Sequence, residues 1–318
     1  MNALNQYTDL FEANRAVIEA NSTEPLNALR PQALEALCLA GRLPDRGDEG
    51  FEKTSVNDMF APDFGVNINR LPLPADVAAS FRCGVPNLST LLGIVVNDRF
   101  VPSSTLQSNL PEGVTVCSLA HAALTMPDVV RRYYGQAARI SDAGTALNTL
   151  LAQDGVLVHV AKGVRPGRAV QIVEILNSTF PLLVARRVLV VAEEGAKIAV
   201  LKCDHTQHGS EKCLTSEVVE IYAGRDAEVE WYDIEESDAS TARYCQVYAR
   251  QEAGSSLTIC GTTLTNGVTR NEFDIDIAGE HTHTKLSGMA IGSGTQHVDN
   301  SSNLRHAACH GRSDQLFK

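Results

Sequence analysis

The sequence contains few aromatic residues: Phe, Trp and Tyr make up 5% of its 318 residues, and Trp231 is the single tryptophan. Platforms for stacking sugars or nucleobases are therefore scarce. Positive charge is also in short supply, because 27 Lys and Arg residues stand against 38 Asp and Glu residues, a net charge of -11. Nucleic acids and anionic membranes are bound through a basic face, so neither is an expected partner.

Long hydrophobic runs are missing too, and no stretch reaches the ~20 apolar residues of a membrane-spanning helix. The N-terminal segment carries Asp9, Glu12 and Glu19, where a secretory signal would be positively charged and then apolar. These absences predict a cytoplasmic protein without a membrane partner. The cysteines lie far apart, and in that compartment we expect reduced thiols rather than a disulfide framework.

Common nucleotide-binding and catalytic motifs are absent from the sequence. There is no GxxxxGKS/T phosphate loop and no GxGxxG turn after a predicted strand. The GxSxG turn of hydrolases is also missing, and Gly292 to Gly294 match it only in composition. We therefore predict that the protein is not an enzyme.

The hydrophobic pattern changes along the chain from helical to strand-like. Leu4, Tyr7 and Phe11 form an apolar stripe with helical spacing. Either Ser141 or Asp142 is placed to cap a later helix. After Gly155, helical periodicity disappears and short β-branched runs follow one another to the end of the chain. The pattern indicates helices followed by a β-rich half.

The β-rich half contains an imperfect repeat. Gly195, Gly224, Gly254 and Gly279 each precede a predicted strand, at intervals of 29, 30 and 25 residues. A repeat of this length with two strands and two turns is typical of a solenoid, whose coils bury their apolar faces only by stacking. Residues 155–318 would then form about six coils of a parallel β-helix. A β-sandwich, which also has closely spaced strands, is the alternative.

These patterns divide the chain into three predicted parts. Residues 1–87 form an N-terminal helical domain, and residues 88–154 form a mixed α/β region that connects and caps. Residues 155–318 form the parallel β-helix core. The predicted fold class is therefore mainly β, with a β-helix preceded by an α-helical domain.

Potential metal ligands are concentrated in residues 202–213 (KCDHTQHGSEKC). A closed zinc site needs a pair of cysteines two to four residues apart, and this segment has none. We interpret it as a solvated loop and predict no metal site. The residues concerned are Cys203, Asp204, His205, His208 and Cys213.

Other charged and polar residues are interpreted as solvated surface. The basic patch consists of Arg165, Arg168, Arg186 and Arg187. The acidic edge consists of Asp233, Glu235, Glu236 and Asp238. The same interpretation covers two histidines predicted to lie on one face of a strand, His281 and His283.

Three blocks of sequence resemble the SufB/SufD scaffold proteins of bacterial SUF iron-sulfur cluster assembly. They are residues 41–55 (GRLPDRGDEGFEKTS), residues 146–163 (ALNTLLAQDGVLVHVAKG) and residues 270–318, which include QHVDN and end in DQLFK. The first block is similar to the SufD type, with Phe51 where that family usually has Trp. The third block departs from the family at Ala308, where a proline is usual.

The resemblance implies a right-handed parallel β-helix and a scaffold subunit that works with SufB and the ATPase SufC. It implies no cofactor bound by this chain alone, with an iron-sulfur cluster possible at the interface with SufB. Family members continue beyond the position of Lys318 into a C-terminal helical domain that docks SufC. The chain is therefore expected to be a fragment that does not capture SufC and that forms a homodimer when isolated.

The third block also contains the candidate partner-interface residues. Their polar and metal-ligating side chains cluster in the part of the chain with the most specific resemblance. Satisfying backbone groups at coil corners is the alternative role, particularly for His297 and Asn300. The candidates are Gln296, His297, Asp299, Asn300, His306, Cys309 and His310.

Two other functions are compatible with a β-helix. A carbohydrate-active lyase or hydrolase needs paired carboxylates, sugar-stacking aromatics and usually export, and the sequence favours none of these. A self-associating structural solenoid differs from the scaffold hypothesis only in its choice of partner.

Overall fold

The computed structural model describes residues 2–73, 75–76, 90–207 and 209–318. The predicted domain boundary between residues 87 and 88 and the ligand candidate His208 lie outside these residues. Within the described ranges, no helix combines the length and apolar character needed to cross a bilayer.

Eight helices occur in the described residues, all of them in the N-terminal half. The predicted stripe of α1 is confirmed, since Leu4, Tyr7 and Phe11 are buried. The Tyr7 hydroxyl donates to the Phe60 carbonyl at 2.9 Å and fixes α1 against α4. The helices are α1 (Ala3–Ala20), α2 (Glu24–Asn27), α3 (Arg30–Ala40), α4 (Val56–Phe60), α5 (Ser104–Asn109), α6 (Leu119–Thr125), α7 (Pro127–Tyr133) and α8 (Ala143–Leu151).

Helix α8 joins the helical part to the solenoid and is buried along its whole length. It begins where predicted, because the Asp142 carboxylate accepts the Thr145 N–H at 2.9 Å. At its C-terminus the Arg30 guanidinium donates to the carbonyl of Ala152 at 2.7 Å and to that of Leu150. This side chain satisfies carbonyls that the helix itself leaves unpaired.

Sixteen strands occur in the described residues. They are β1 (Gly65–Val66), β2 (Leu91–Val96), β3 (Arg99–Val101), β4 (Val114–Ser118), β5 (Val156–Val160), β6 (Val170–Leu176), β7 (Leu182–Ala192), β8 (Lys197–Thr206), β9 (Cys213–Ala223), β10 (Glu228–Glu236), β11 (Thr241–Gln251), β12 (Ser256–Thr265), β13 (Val268–Ile277), β14 (His283–Ala290), β15 (His297–His306) and β16 (Arg312–Phe317).

The strands form two sheets through which the chain winds alternately. One sheet has the order β15-β13-β11-β9-β7-β5-β4, and the other β16-β14-β12-β10-β8-β6-β2-β3. From β5 onwards, each strand pairs in parallel with the strand two positions further along the chain. Six coils result, from β5–β6 to β15–β16, which confirms the predicted β-helix. The parallel ladders exclude the sandwich alternative.

A left-handed residue occupies the same turn of every coil, where one sheet passes to the other. The glycine spacing in the sequence mixed two positions of this turn, because Gly224 and Gly279 do not have positive φ. His281 has φ 58° and lies in the turn before β14, so its predicted place on a strand was wrong. The left-handed residues are Gly163, Gly195, Asp226, Gly254, His281 and His310.

The interior of the coils is apolar on the side of these turns. Alternate residues of each strand point inward, as with Ile198 and Val200 of β8 and Val229 and Trp231 of β10, all buried. This cluster continues through the neighbouring coils and forms the main hydrophobic core. Further along the same strands, the inward positions become charged.

Candidate functional site

A network of charged side chains fills the interior of the coils away from the left-handed turns. Its members continue the inward phase of the apolar residues, so that Lys202 and Asp204 follow Ile198 and Val200 in β8. Each is 8% exposed or less. The carboxylates are Glu174, Asp204, Glu217, Asp233 and Glu235, and the cations are Arg186, Lys202 and Arg243.

The Lys202 ammonium lies at the centre of the network. Its Nζ is 3.0 Å from Asp204 and 3.6 Å from both Glu174 and Asp233, and it also donates to Glu217. Arg186 bridges Glu174 and Asp204 with two contacts of 2.6 Å. Side chains from successive coils are thereby bonded across the interior of the solenoid.

Burial raises the pKa of a carboxyl group, whereas pairing with a cation lowers it. Burial raises the pKa of Glu174 to about 8 and also raises the pKa of Glu235. Burial acts in the same direction on Asp204, but the Lys202 ammonium and two guanidinium groups hold its pKa well below the usual range. Glu174 is therefore protonated at neutral pH, whereas Asp204 is ionised.

The carboxylates of Glu174, Asp204 and Glu217 offer oxygens that all lie within 4.8 Å of one another, as in a cation site. The Lys202 ammonium contacts all three groups. A metal ion would have to displace this ammonium, so we assign no metal to the cluster.

The interpretation of residues 202–213 as a solvated loop was wrong at both ends, which are strand, whereas residues 207 and 209–212 lie between the strands. Cys203, Asp204 and His205 lie in β8, and Cys213 begins β9; all four are buried. The His205 Nδ1 is 3.5 Å from a carboxylate oxygen of Glu236. Among the described residues, the two cysteines and His205 belong to no close group of three potential ligands.

Half of the basic patch and half of the acidic edge were also wrongly placed on the surface, whereas Arg165 and Asp238 are exposed as predicted. Arg186 and Arg187 are each 2% exposed, and Asp233 and Glu235 are 8% and 1% exposed. Arg187 is 3.5 Å from Glu220, whose carboxylate accepts backbone N–H groups before α8. These charges are buried because each finds a partner on another strand.

Residues 41–55, which we call the arm, dock onto the last coil. The Thr54 hydroxyl is 2.8 Å from His297 Nε2 and donates to Asp299 at 2.7 Å. Arg270 bonds Asp299 at 2.7 Å, and its guanidinium lies 4.6 Å from the ring centre of Phe51. Two candidate interface residues therefore bind the chain's own N-terminal part in this structure.

The whole of this architecture is matched by two family models. Residues 1–172 match the SufBD protein N-terminal region, and residues 175–318 match the SUF system FeS cluster assembly SufBD core domain. The chain belongs to the SufBD family. The core-domain match begins within β6, so the first coil lies mainly in the N-terminal match.

Curated relatives of this SufBD protein carry the same family name. An iron-sulfur cluster assembly SufBD family protein of Synechocystis sp. is 28% identical over 171 residues, covering 51% of this chain and 35% of the relative. Another, from Arabidopsis thaliana, is 28% identical over 139 residues, covering 43% and 29%. The Porphyra purpurea relative is 24% identical over 243 residues, covering 73% and 49%. The matches thus span half or less of each relative.

The other candidate interface residues of the SufBD protein lie on the last coil and its turns. Asn300 accepts from Asn271 of the neighbouring strand at 2.9 Å. Cys309 is exposed, and the His310 ring stacks on that of His281 with centres 5.0 Å apart. The remaining two make local bonds: Gln296 accepts from the Ser293 N–H at 2.6 Å, and His306 contacts Ser313 at 3.0 Å.

The raised pKa of Glu174 predicts a pH dependence of stability. Between its ordinary value of 4.5 and about 8, the carboxyl group is protonated in the folded state and ionised in the unfolded one. Stability therefore falls as pH rises through this window. Glu174→Gln stays neutral at every pH and is expected to flatten the fall, measured by urea unfolding at several pH values.

Glu228→Gln is the control for this experiment. The Glu228 side chain is 39% exposed, and hydrogen bonds from Lys197 and Arg165 lower its pKa, so it stays ionised in both states across the window. Replacing Glu228 should leave the dependence of the unfolding free energy on pH unchanged. Equal slopes for the unmodified protein and Glu174→Gln would contradict the assignment of a protonated Glu174.

Proposed function

We propose that this SufBD protein is a SufD-type scaffold subunit of a cytoplasmic iron-sulfur cluster assembly complex. It performs no catalysis itself, pairs with a SufB-like subunit and acts beside a SufC-like ATPase. The observation that carries the proposal is the pair of family matches over residues 1–172 and 175–318. The arm supports the SufD type through its similarity to that branch, and the mutual pairing of the buried charges suits a structural role.

The partner surface proposed for the SufB-like subunit is the outer edge of β15 and β16, the outermost strands of the two sheets. The N–H groups of His297 and Ala307 donate to carbonyls on the β13 side. Because alternate residues of a strand face opposite neighbours, the Ser302 N–H points to the open edge. Open strand edges recruit further strands, and the same edges would pair two copies in a homodimer when no partner is present.

In this proposal the iron-sulfur cluster is cargo, and it binds at the contact with the SufB-like subunit rather than within this chain. Cys309, His306 and His310 are exposed on the last coil, beside the proposed edge. Thiolate and imidazole groups are ligands that iron accepts. The proposed role of these residues is to complete a site with the SufB-like subunit.

Ser302→Pro removes one open-edge donor and leaves the N–H groups that face β13 intact. We expect it to weaken co-purification with the SufB-like subunit at least tenfold and to shift the isolated chain from dimer to monomer by light scattering. Ser302→Ala keeps the N–H and serves as the matched control.

Co-purification and light scattering also distinguish the scaffold function from that of a self-associating solenoid. Capture of the SufB-like subunit that Ser302→Pro weakens supports the scaffold function. Homodimers with no capture would support the structural solenoid instead. A monomer that captures neither copy nor partner would overturn the edge assignment.

A further inference from the structure

A cavity of about 420 Å³ lies between the arm, helix α4 and the loops that join the coils. Its size is within the range of small-molecule sites, roughly 300–1,000 Å³. The arm supplies one wall, and the loops before β9 and β11 supply the other. The cavity has no role in the scaffold function proposed above.

The arm wall is fixed in place by the contacts of Thr54 and Phe51. Thr54 bonds His297 and Asp299, and the Phe51 ring lies under Arg270. Thr54 and His297 themselves line the cavity. Its shape therefore belongs to the folded protein and does not depend on a ligand to form it.

Three cationic side chains line this cavity in a protein of net charge -11: Arg46, Lys53 and Lys212. All three are exposed, and none has an ion-pair partner among the described residues. Asp58 is the one carboxylate in the described lining. Elsewhere on the surface, arginines and lysines are commonly paired, as Lys197 is with Glu228 at 2.9 Å.

A second cavity, of about 790 Å³, shows that this charge is local. The two cavities lie on either side of one loop, since Ala239 lines both. The larger one is lined by Glu236 and Asp238, and its described lining contains no lysine or arginine. Of these two neighbouring cavities, only the one beside the arm has cationic side chains in its described lining.

The remaining lining combines an apolar wall with hydroxyl donors. Met59, Phe64 and Val268 supply apolar surface, and Ser240 and Thr241 supply hydroxyl groups. Cationic groups with nearby hydroxyls suit an oxyanion, and the apolar wall suits a hydrophobic body. A ligand with both an oxyanion group and a hydrophobic body would contact the cationic, hydroxyl and apolar parts of the lining.

We propose that this cavity binds a small amphipathic anion, with its phosphate, sulfonate or carboxylate group at Arg46, Lys53 and Lys212 and its apolar body against Met59 and Phe64. The test uses anilinonaphthalene sulfonate, which joins fused aromatic rings to one anionic group. We expect one bound probe per chain, displaced by pyrophosphate and weakened by salt. Phenylnaphthylamine, which lacks the anionic group, should bind more weakly.

The variant Lys53→Glu with Lys212→Glu should weaken probe binding at least tenfold. Both side chains are exposed, so the fold is not at risk, and Lys53→Gln with Lys212→Gln provides a milder second variant. Lys285→Glu makes one of the same charge changes on the exposed face of β14, away from the cavity, and should have no effect. Unchanged affinity in both cavity variants, or an equal loss with Lys285→Glu, would overturn the proposal.

Discussion

Lys202→Met is expected to lower the free energy of unfolding by about 3–5 kcal/mol, the usual cost of removing one partner from a buried ionic cluster. The Lys202 ammonium is fully buried and contacts Glu174, Asp204 and Glu217. Met occupies a similar volume, so the loss reflects charge rather than a cavity. Without the ammonium, carboxylates that now share its charge repel one another in a medium that solvates them poorly.

Lys197→Met is the matched control, because Lys197 lies in the same strand and is 42% exposed. Its pair with Glu228 is exposed, and such pairs contribute about 0–1 kcal/mol. Adding Glu217→Gln to Lys202→Met should restore part of the loss, since it removes one of the unpaired carboxylates. Equilibrium urea unfolding measures all three, and equal effects of the two lysine replacements would contradict the central role of Lys202.

The sequence predicted the solenoid because apolar runs and turns recur at nearly the length of one coil. It did not predict the network, because Asp233 and Glu235 are charged residue types that are mostly exposed in proteins. A signal was nevertheless present in β10. Both residues continue the phase of Val229 and Trp231, which places them on the same inward face. Alternation was a better guide to burial there than residue type.

The contact between the arm and the last coil could not be predicted from local pattern. Thr54 and His297 are 243 residues apart, and no periodicity links them. The resemblance singled out both segments but did not show that they touch. The cavity lined by Lys53 and Lys212 follows from this contact, so it became visible only with the fold.

Gly279→Ala is expected to destabilise the protein by about 3 kcal/mol, at the upper end of the usual cost of overpacking. The sequence marked this glycine as a turn residue, but its φ is not positive, so conformational freedom does not explain it. A Cβ at this position would overlap main-chain atoms of Glu252 and Ala253 in the preceding coil. Backbone cannot move aside as the end of a flexible side chain can, and the Gly279 N–H also donates to the Gln251 carbonyl at 3.0 Å.

Gly292→Ala, in the same half of the chain, is expected to stabilise the protein. A Cβ there would meet no atom within 4 Å, and the φ of Gly292 is not in the left-handed region. Replacing such a glycine restricts the unfolded chain and raises stability by about 0.4–1 kcal/mol. Urea unfolding should therefore move the two variants in opposite directions. A loss at Gly279 of less than about 1 kcal/mol would show that adjacent coils can separate locally, and that close backbone approach does not fix their spacing.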